Sequence, residues 1–479
     1  MERPRRAKLE GPRSASGPDV REAARLGRAR RPDSVSARSR TLRASLDASI
    51  AEGAAAEVFG ACAGGAVLTG WALFLGATPV VIGLLGALPL AAQIVQLPAA
   101  WLTQHVGAKR LAVAAIGASR LAWLPLIAVP FLHLSAPIAL MIFVAVVALA
   151  GLLGVVGNNA WTAWMGDLVP GAVRGRFFAR RMMYLNVAGT LAGLAAGLAL
   201  DTLGPRGFRG ETLAALAAVA CGAGLVSVRL LLLQQRPRHG EKDGAGAWRD
   251  ALHAVRDART RPLAGYLLAW NAAVGISAGF FSFHMLANLR MAFMLVAAHA
   301  IIVAAVRVAS AGAWGRLVDG CGARPVLVVC SLGIAVVPLI WLFPTADRLW
   351  PIAIEAVVSG ALWGGHGIAA FDLSIGVSPR RGRPYYLAAF ATAGGLGFAA
   401  SSIVAGVLAS MLASPLHAAG SSWSEMHVLF LLSAIGRGAA AVLAVRIDEP
   451  AARTVAELTR AAIGMVGRRA TPSPASLSP

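Results

Sequence analysis

Apolar residues in this chain come in continuous runs rather than in alternation, and polar residues collect in the short gaps between the runs. A run of about 20 apolar residues crosses a hydrocarbon core of roughly 30 Å as a helix. The runs are rich in Ala, Leu and Gly rather than in β-branched residues, which argues against membrane strands. The pattern predicts spans over residues 52–76, 78–102, 110–132, 136–160, 181–203 and 211–233, then 263–287, 291–315, 325–344, 350–372, 384–411 and 425–446. The expected fold is an all-α polytopic membrane protein of about twelve helices in two pseudo-symmetric six-helix bundles, residues 48–233 and 263–446. The polar stretch 234–262 joins them. Within it Trp248, Leu252 and Val255 fall at helical spacing, which suggests a short amphipathic helix. Residues 1–47 and 447–479 offer little apolar surface and are expected to be disordered tails.

Two internal repeats support the division. Asp167-Leu168 followed by Arg174-Gly175-Arg176 returns as Asp372-Leu373 followed by Arg381-Gly382-Arg383, with the triplets 207 residues apart. Val106-Gly107-Ala108-Lys109-Arg110 returns as Cys321-Gly322-Ala323-Arg324-Pro325, displaced by 215. Two similar halves can rock about a site held between them, which is how many secondary transporters work.

Composition adds one question and settles it. The chain is 57% hydrophobic and 14% charged, with mean hydropathy +0.66 and a formal net charge of +21. With the N-terminus inside, the tails and inner connections hold 36 of the 44 Lys and Arg. That asymmetry is the positive-inside pattern. It explains the basic balance without nucleic acid, makes anionic lipid headgroups the expected partner of the tails, and puts both termini on the cytoplasmic side. The first 50 residues lack the apolar core of a cleavable signal. Cys62, Cys221, Cys321 and Cys330 form no CxxC pair, so neither a disulfide framework nor a metal site is expected.

The turn Gly315-Arg316-Leu317-Val318-Asp319-Gly320-Cys321-Gly322-Ala323-Arg324 fits G-x-x-x-D-x-x-G-x-R. On that turn, its weaker copy with Gln104 in place of the aspartate, and the stretch from Trp161 to Arg181, the chain resembles the major facilitator superfamily (MFS) over residues 50–446. The resemblance is to bacterial members and implies the MFS fold in a bacterial inner membrane, with spans 1, 4, 7 and 10 around a central cavity and a peripheral third span.

Carboxylates at inner helix ends (Asp167, Asp319, Asp372) lie near guanidinium groups in sequence (Arg174, Arg176, Arg324, Arg381, Arg383). Such pairs can clamp an inner gate shut and hydrate when it opens. Ionisable groups within the spans need a partner or a purpose. Glu57 in the first span and Glu355 in the tenth are candidates for substrate or proton binding, with Asn158, Asn271, His284 and His366 as further candidates. Arg120, near the middle of the third span, is expected to form an ion pair, with Glu57 in reach. His366 lies eleven residues from Glu355 on one helix, about 16 Å along it, too far for a direct relay.

No Walker loop, Gly-rich strand-turn-helix or HExxH is present, so no cofactor and no catalytic residue is expected. The expected function is secondary active transport of a small solute, coupled to a proton or cation and carried out by a monomer. The alternatives are a transporter-like scaffold or sensor without flux, or a membrane-embedded enzyme.

Overall fold

The computed structural model describes residues 32–235, 256–379, 383–418, 423–450, 452–458 and 460. Among the described residues twelve helical spans follow one another, with short connections within each set of six. Helix α1 runs Pro32–Ala63 and resumes as Gly65–Phe74, and α2 is Pro79–Ala91, a 3-10 turn Ala92–Val95, and Gln96–Val106. Then come α3 (Ala108–Leu121), α4 (Ala136–Leu168), α5 (Gly171–Leu203) and α6 (Arg209–Leu233). The second set is α7 (Arg261–Ala278, closing through a π-turn at His284–Asn288), α8 (Phe293–Cys321), α9 (Ala323–Ile340), α10 (Trp350–Val377), α11 (Arg383–Ala418) and α12 (Glu425–Ala444). Among the described residues, eleven helices are long and apolar enough to cross a membrane. The second span falls short because Pro89 and Pro98 each lack a ladder N–H, and the 3-10 turn between them absorbs the bend.

Helix packing repeats between the halves. α1 packs on α5 and α6, as α7 packs on α11 and α12; α3 packs on α4 and α6, as α9 packs on α10 and α12. The two largest contacts between the halves, α2 with α11 and α5 with α8, exchange with each other when six is added or subtracted. The signature turns repeat in detail. Gly107 and Gly322 sit at φ 92° and 91°, a left-handed conformation that glycine adopts freely, and each caps the next helix.

Two expectations about the tails need correction. Helix α1 starts at Pro32, inside the stretch expected to be disordered. Ser45 Oγ accepts the N–H of Gln235 at 2.9 Å, and the Ser49 hydroxyl reaches the Met165 sulfur at 3.6 Å. At the other end Ile447 and Leu458 are buried. Glu449 accepts the N–H groups of Ala323 and Arg324 at 3.0 and 2.7 Å, closing the unpaired start of α9. The expected linker helix at Trp248, Leu252 and Val255 lies outside the described residues.

The contacts joining the halves gather on the face where α2 and α8 begin and α5 and α11 end. There Ser402 donates to the Gly83 carbonyl at 2.9 Å, and a Cβ on Gly406 would sit 2.8 Å from the Pro79 carbonyl oxygen. Across the other seam, Asp201 of α5 accepts the N–H groups of Phe293 and Met294 at 2.7 and 2.8 Å, capping α8 from the opposite half. A Cβ on the nearby Gly197 would lie 2.9 Å from Met294, so only glycine permits that approach.

Candidate functional site

A cavity of about 1120 Å³ lies among α1–α4 and the start of α11. It reaches from Leu68 to Thr162 and Tyr385, toward the face opposite the joined one. Helix α1 breaks beside it at Gly64 and Gly65, the latter at φ 52°. The wall is largely apolar, with amides at Gln93, Gln96, Asn158 and Asn159; Gln96 donates to Gln93.

Arg120 enters this wall from α3. Ser119 holds the local backbone by donating to the Ala150 carbonyl at 2.8 Å, and the arginine stem lies on Gly224 of α6, where a Cβ would come within 2.7 Å of it. Its guanidinium carbon sits 3.8 Å from the Phe59 ring centroid, a cation–π contact, and Trp123 meets the same ring edge-on at 6.0 Å. Arg120 Nε has no hydrogen-bond partner.

A second chamber of about 200 Å³ shares Ser119, Arg120, Gly154 and Asn158 with the first. Its far wall carries Glu52, Glu57 and Arg181. Arg181 pairs with Glu52 at 3.1 Å, donates to the Ser49 carbonyl at 3.2 Å and lies 4.4 Å from the Trp161 ring centroid. Ser227 donates to the other Glu52 oxygen at 3.0 Å. The expected ion pair at Arg120 is therefore not the one that forms. Arg181, reaching in from α5, takes the carboxylate, and the longer α1 brings Glu52 deep enough to supply it. Glu57, exposed and beside Gly189, faces Arg120 across the chamber without a salt bridge.

The second half is arranged differently. Glu355 is buried against His299 of α8 at 2.6 Å and lines neither chamber. His366 Nε2 lies 2.8 Å from the Tyr266 hydroxyl, which lies 2.8 Å from Ser331 Oγ. Because Ser331 donates to the Leu327 carbonyl at 2.6 Å, one proton direction satisfies the series: His366 donates to Tyr266 and Tyr266 to Ser331. Trp270 stacks on His366 at 4.8 Å. His284 sits in the π-turn among Trp341, His427 and Phe430, away from both chambers. Asn271 donates to its own helix at Leu267 and packs on Gly394. Arg437, 2% exposed, donates to Ser277 at 2.9 Å.

The expected inner latches are unpaired where they are described. Asp167, Asp319 and Asp372 are exposed and form no ion pair among the described residues. Arg174 donates to the Gly166 and Val169 carbonyls, and Arg176 is exposed. Arg324 donates to the Ile447 carbonyl at 3.4 Å, so its turn is held by the segment after α12 rather than by Asp319. Arg381 lies outside the described residues, and Arg383 is the first residue of α11. Glu52, Arg181, His299, Asp201 and Glu449 were not among the sequence candidates. Glu52 and Arg181 sat at predicted span ends, where charge is ordinary, and their pairing depends on tertiary packing.

A family model described as Major Facilitator Superfamily matches residues 53–402, more than half of the chain. The chain belongs to the Major Facilitator Superfamily. This transporter is also similar in fold to solved structures of that kind. A mutant of the nucleoside transporter NupG superposes with a TM-score of 0.66 at 12% identity, covering 85% of this chain and 100% of that one. A D-xylose-proton symporter gives 0.61 at 14% identity, covering 85% and 97%. A bacterial homologue of the human lysosomal transporter Spinster, inward-facing and unoccupied, gives 0.55 at 15% identity, covering 91% and 99%. No curated protein matches the chain in sequence.

Proposed function

We propose that this transporter carries a small solute across a bacterial inner membrane by alternating access, with both termini cytoplasmic and with proton coupling. One observation carries the reading. The two halves are stapled together on one face, by Asp201 on α8 and by Ser402 on Gly83, while a cavity of about 1120 Å³ extends toward the other. A structure sealed on one side and hollow on the other is one end state of a rocking cycle. Asp167, Asp319 and Asp372, exposed and without an ion pair among the described residues, suit an inner gate that stands open. The inward-facing Spinster homologue and an inward-open XylE at TM-score 0.59 are consistent with that assignment.

Glu57 is the first candidate for coupling, since it faces the small chamber beside Arg120. Glu355, the other acid proposed from the sequence, is closed against His299 within the other half and lines neither chamber, so the reading gives it a structural rather than a coupling role. The basic inner segments suit contact with anionic headgroups, and the complete pair of bundles suits a working monomer. Reconstitution into proteoliposomes with an imposed pH gradient tests the reading. Accumulation of a labelled solute that collapses with the gradient and is reduced in Glu57→Gln is expected. Wild-type accumulation in that variant would remove Glu57 from coupling, and gradient-independent equilibration would remove proton coupling altogether.

A further inference from the structure

The large cavity contains a charge whose needs the protein does not meet. Among its described lining residues Arg120 is the only charged one, and the other polar groups are neutral. Arg181, the neighbouring cation, is paired with Glu52 and also meets the Ser49 carbonyl and the Trp161 ring. Arg120 has an aromatic face on one side, an Nε without a partner, and no carboxylate within salt-bridge distance. Glu52 and Glu57 act on it only across a gap. A guanidinium held this way, half-buried in a largely apolar wall, offers forked donors that match a carboxylate's two oxygens.

The geometry points to an organic monocarboxylate with an apolar or aromatic body as this transporter's ligand, bound with its carboxylate on Arg120. This rests on the transport reading above and names the class of its cargo. Three features of the wall select that class. A lone cation balances one negative charge, so a phosphate ester would bring an excess charge into an apolar space. Phe59, Trp123, Leu88 and Val147 provide a surface for rings and alkyl groups. The amides of Asn158 and Asn159 can orient a polar substituent on the body. A neutral sugar or nucleoside would leave the guanidinium without a counter-charge.

Thermal melting of the purified full-length protein tests this with benzoate, its neutral isostere benzamide, the larger 1-naphthoate, xylose and inorganic phosphate. Benzoate or naphthoate is expected to raise the melting temperature at concentrations at least tenfold below those needed with benzamide, xylose or phosphate. Arg120→Gln should abolish that shift, and Arg120→Lys should retain it at weaker affinity. Equal response to benzoate and benzamide on the wild type overturns the inference without any variant. So does an unchanged shift in Arg120→Gln, or the absence of a shift with both carboxylates. Flux in proteoliposomes separates this inference from the one it rests on. Uptake of xylose or another neutral solute without uptake of either carboxylate overturns the cargo class and leaves transport standing. Failure to move any solute of a broad panel across sealed, energised vesicles removes the transport reading itself.

Discussion

The two halves of this transporter share their helix packing and treat buried charge in opposite ways. In the first half Arg120, Glu57 and the Glu52–Arg181 pair border cavities. In the second, Glu355, His366 and Arg437 are buried within the bundle, each with a side-chain partner there. Duplication thus preserved the scaffold, down to the matched φ of Gly107 and Gly322, while the polar interiors diverged. The lesson is that pseudo-symmetry predicts where helices go and not where chemistry sits. The charges to test first are those on the hollow side.

The largest effect is expected at the Glu52–Arg181 pair. Glu52→Ala leaves a buried guanidinium without its counter-ion and should cost about 3–5 kcal/mol of stability. The double variant Glu52→Gln/Arg181→Gln should recover much of the loss in melting experiments, whereas an additive loss would show that the pair is not coupled. Next is a contrast in transport. Glu57→Gln should reduce proton-driven accumulation severalfold, because that carboxylate faces a chamber. Glu355→Gln, whose amide can still bond to His299, should leave it within about twofold while costing about 1–3 kcal/mol of stability. Equal damage to transport from both would erase the distinction between hollow and closed halves.

The smallest effect is expected at Tyr266. Removing its hydroxyl in Tyr266→Phe breaks the series from His366 to Ser331 and should cost about 1 kcal/mol of stability, with no change in solute affinity. A shift in affinity larger than twofold would mean that this enclosed network reaches the cargo.

Much of the architecture was legible in the residues, because a helix must be long and apolar to span lipid and the repeats mark equivalent turns. What escaped was set by neighbours distant in sequence. Helix α1 begins well before its apolar run, and Ser45 and Ser49 on it meet the ends of α6 and α4, which no local pattern announces. Arg181 reads as one more inner-face cation until α5 packs on α1 and brings it to Glu52. Asp201 reads as a loop acid at the end of a span, and only the docking of α8 turns it into a cap across the seam. Arg120 was recognisable as a charge needing a partner, but its solitude was not.

The rocking of one half on the other is most directly tested by spin-label distances in two pairs, read together. One pair, Leu203→Cys with Leu295→Cys, straddles the joined face, and the other, Gly166→Cys with Phe371→Cys, straddles the hollow one. All four native cysteines are buried. Asp201→Asn weakens the cap on α8, an interaction worth about 0.3–2 kcal/mol at a helix N-terminus, enough to change a two-state population severalfold. In that variant the first distance should lengthen in a growing fraction of molecules while the second shortens in the same fraction. A first distance that lengthens with the second unchanged would mean local fraying, and would contradict alternating access by two rigid halves.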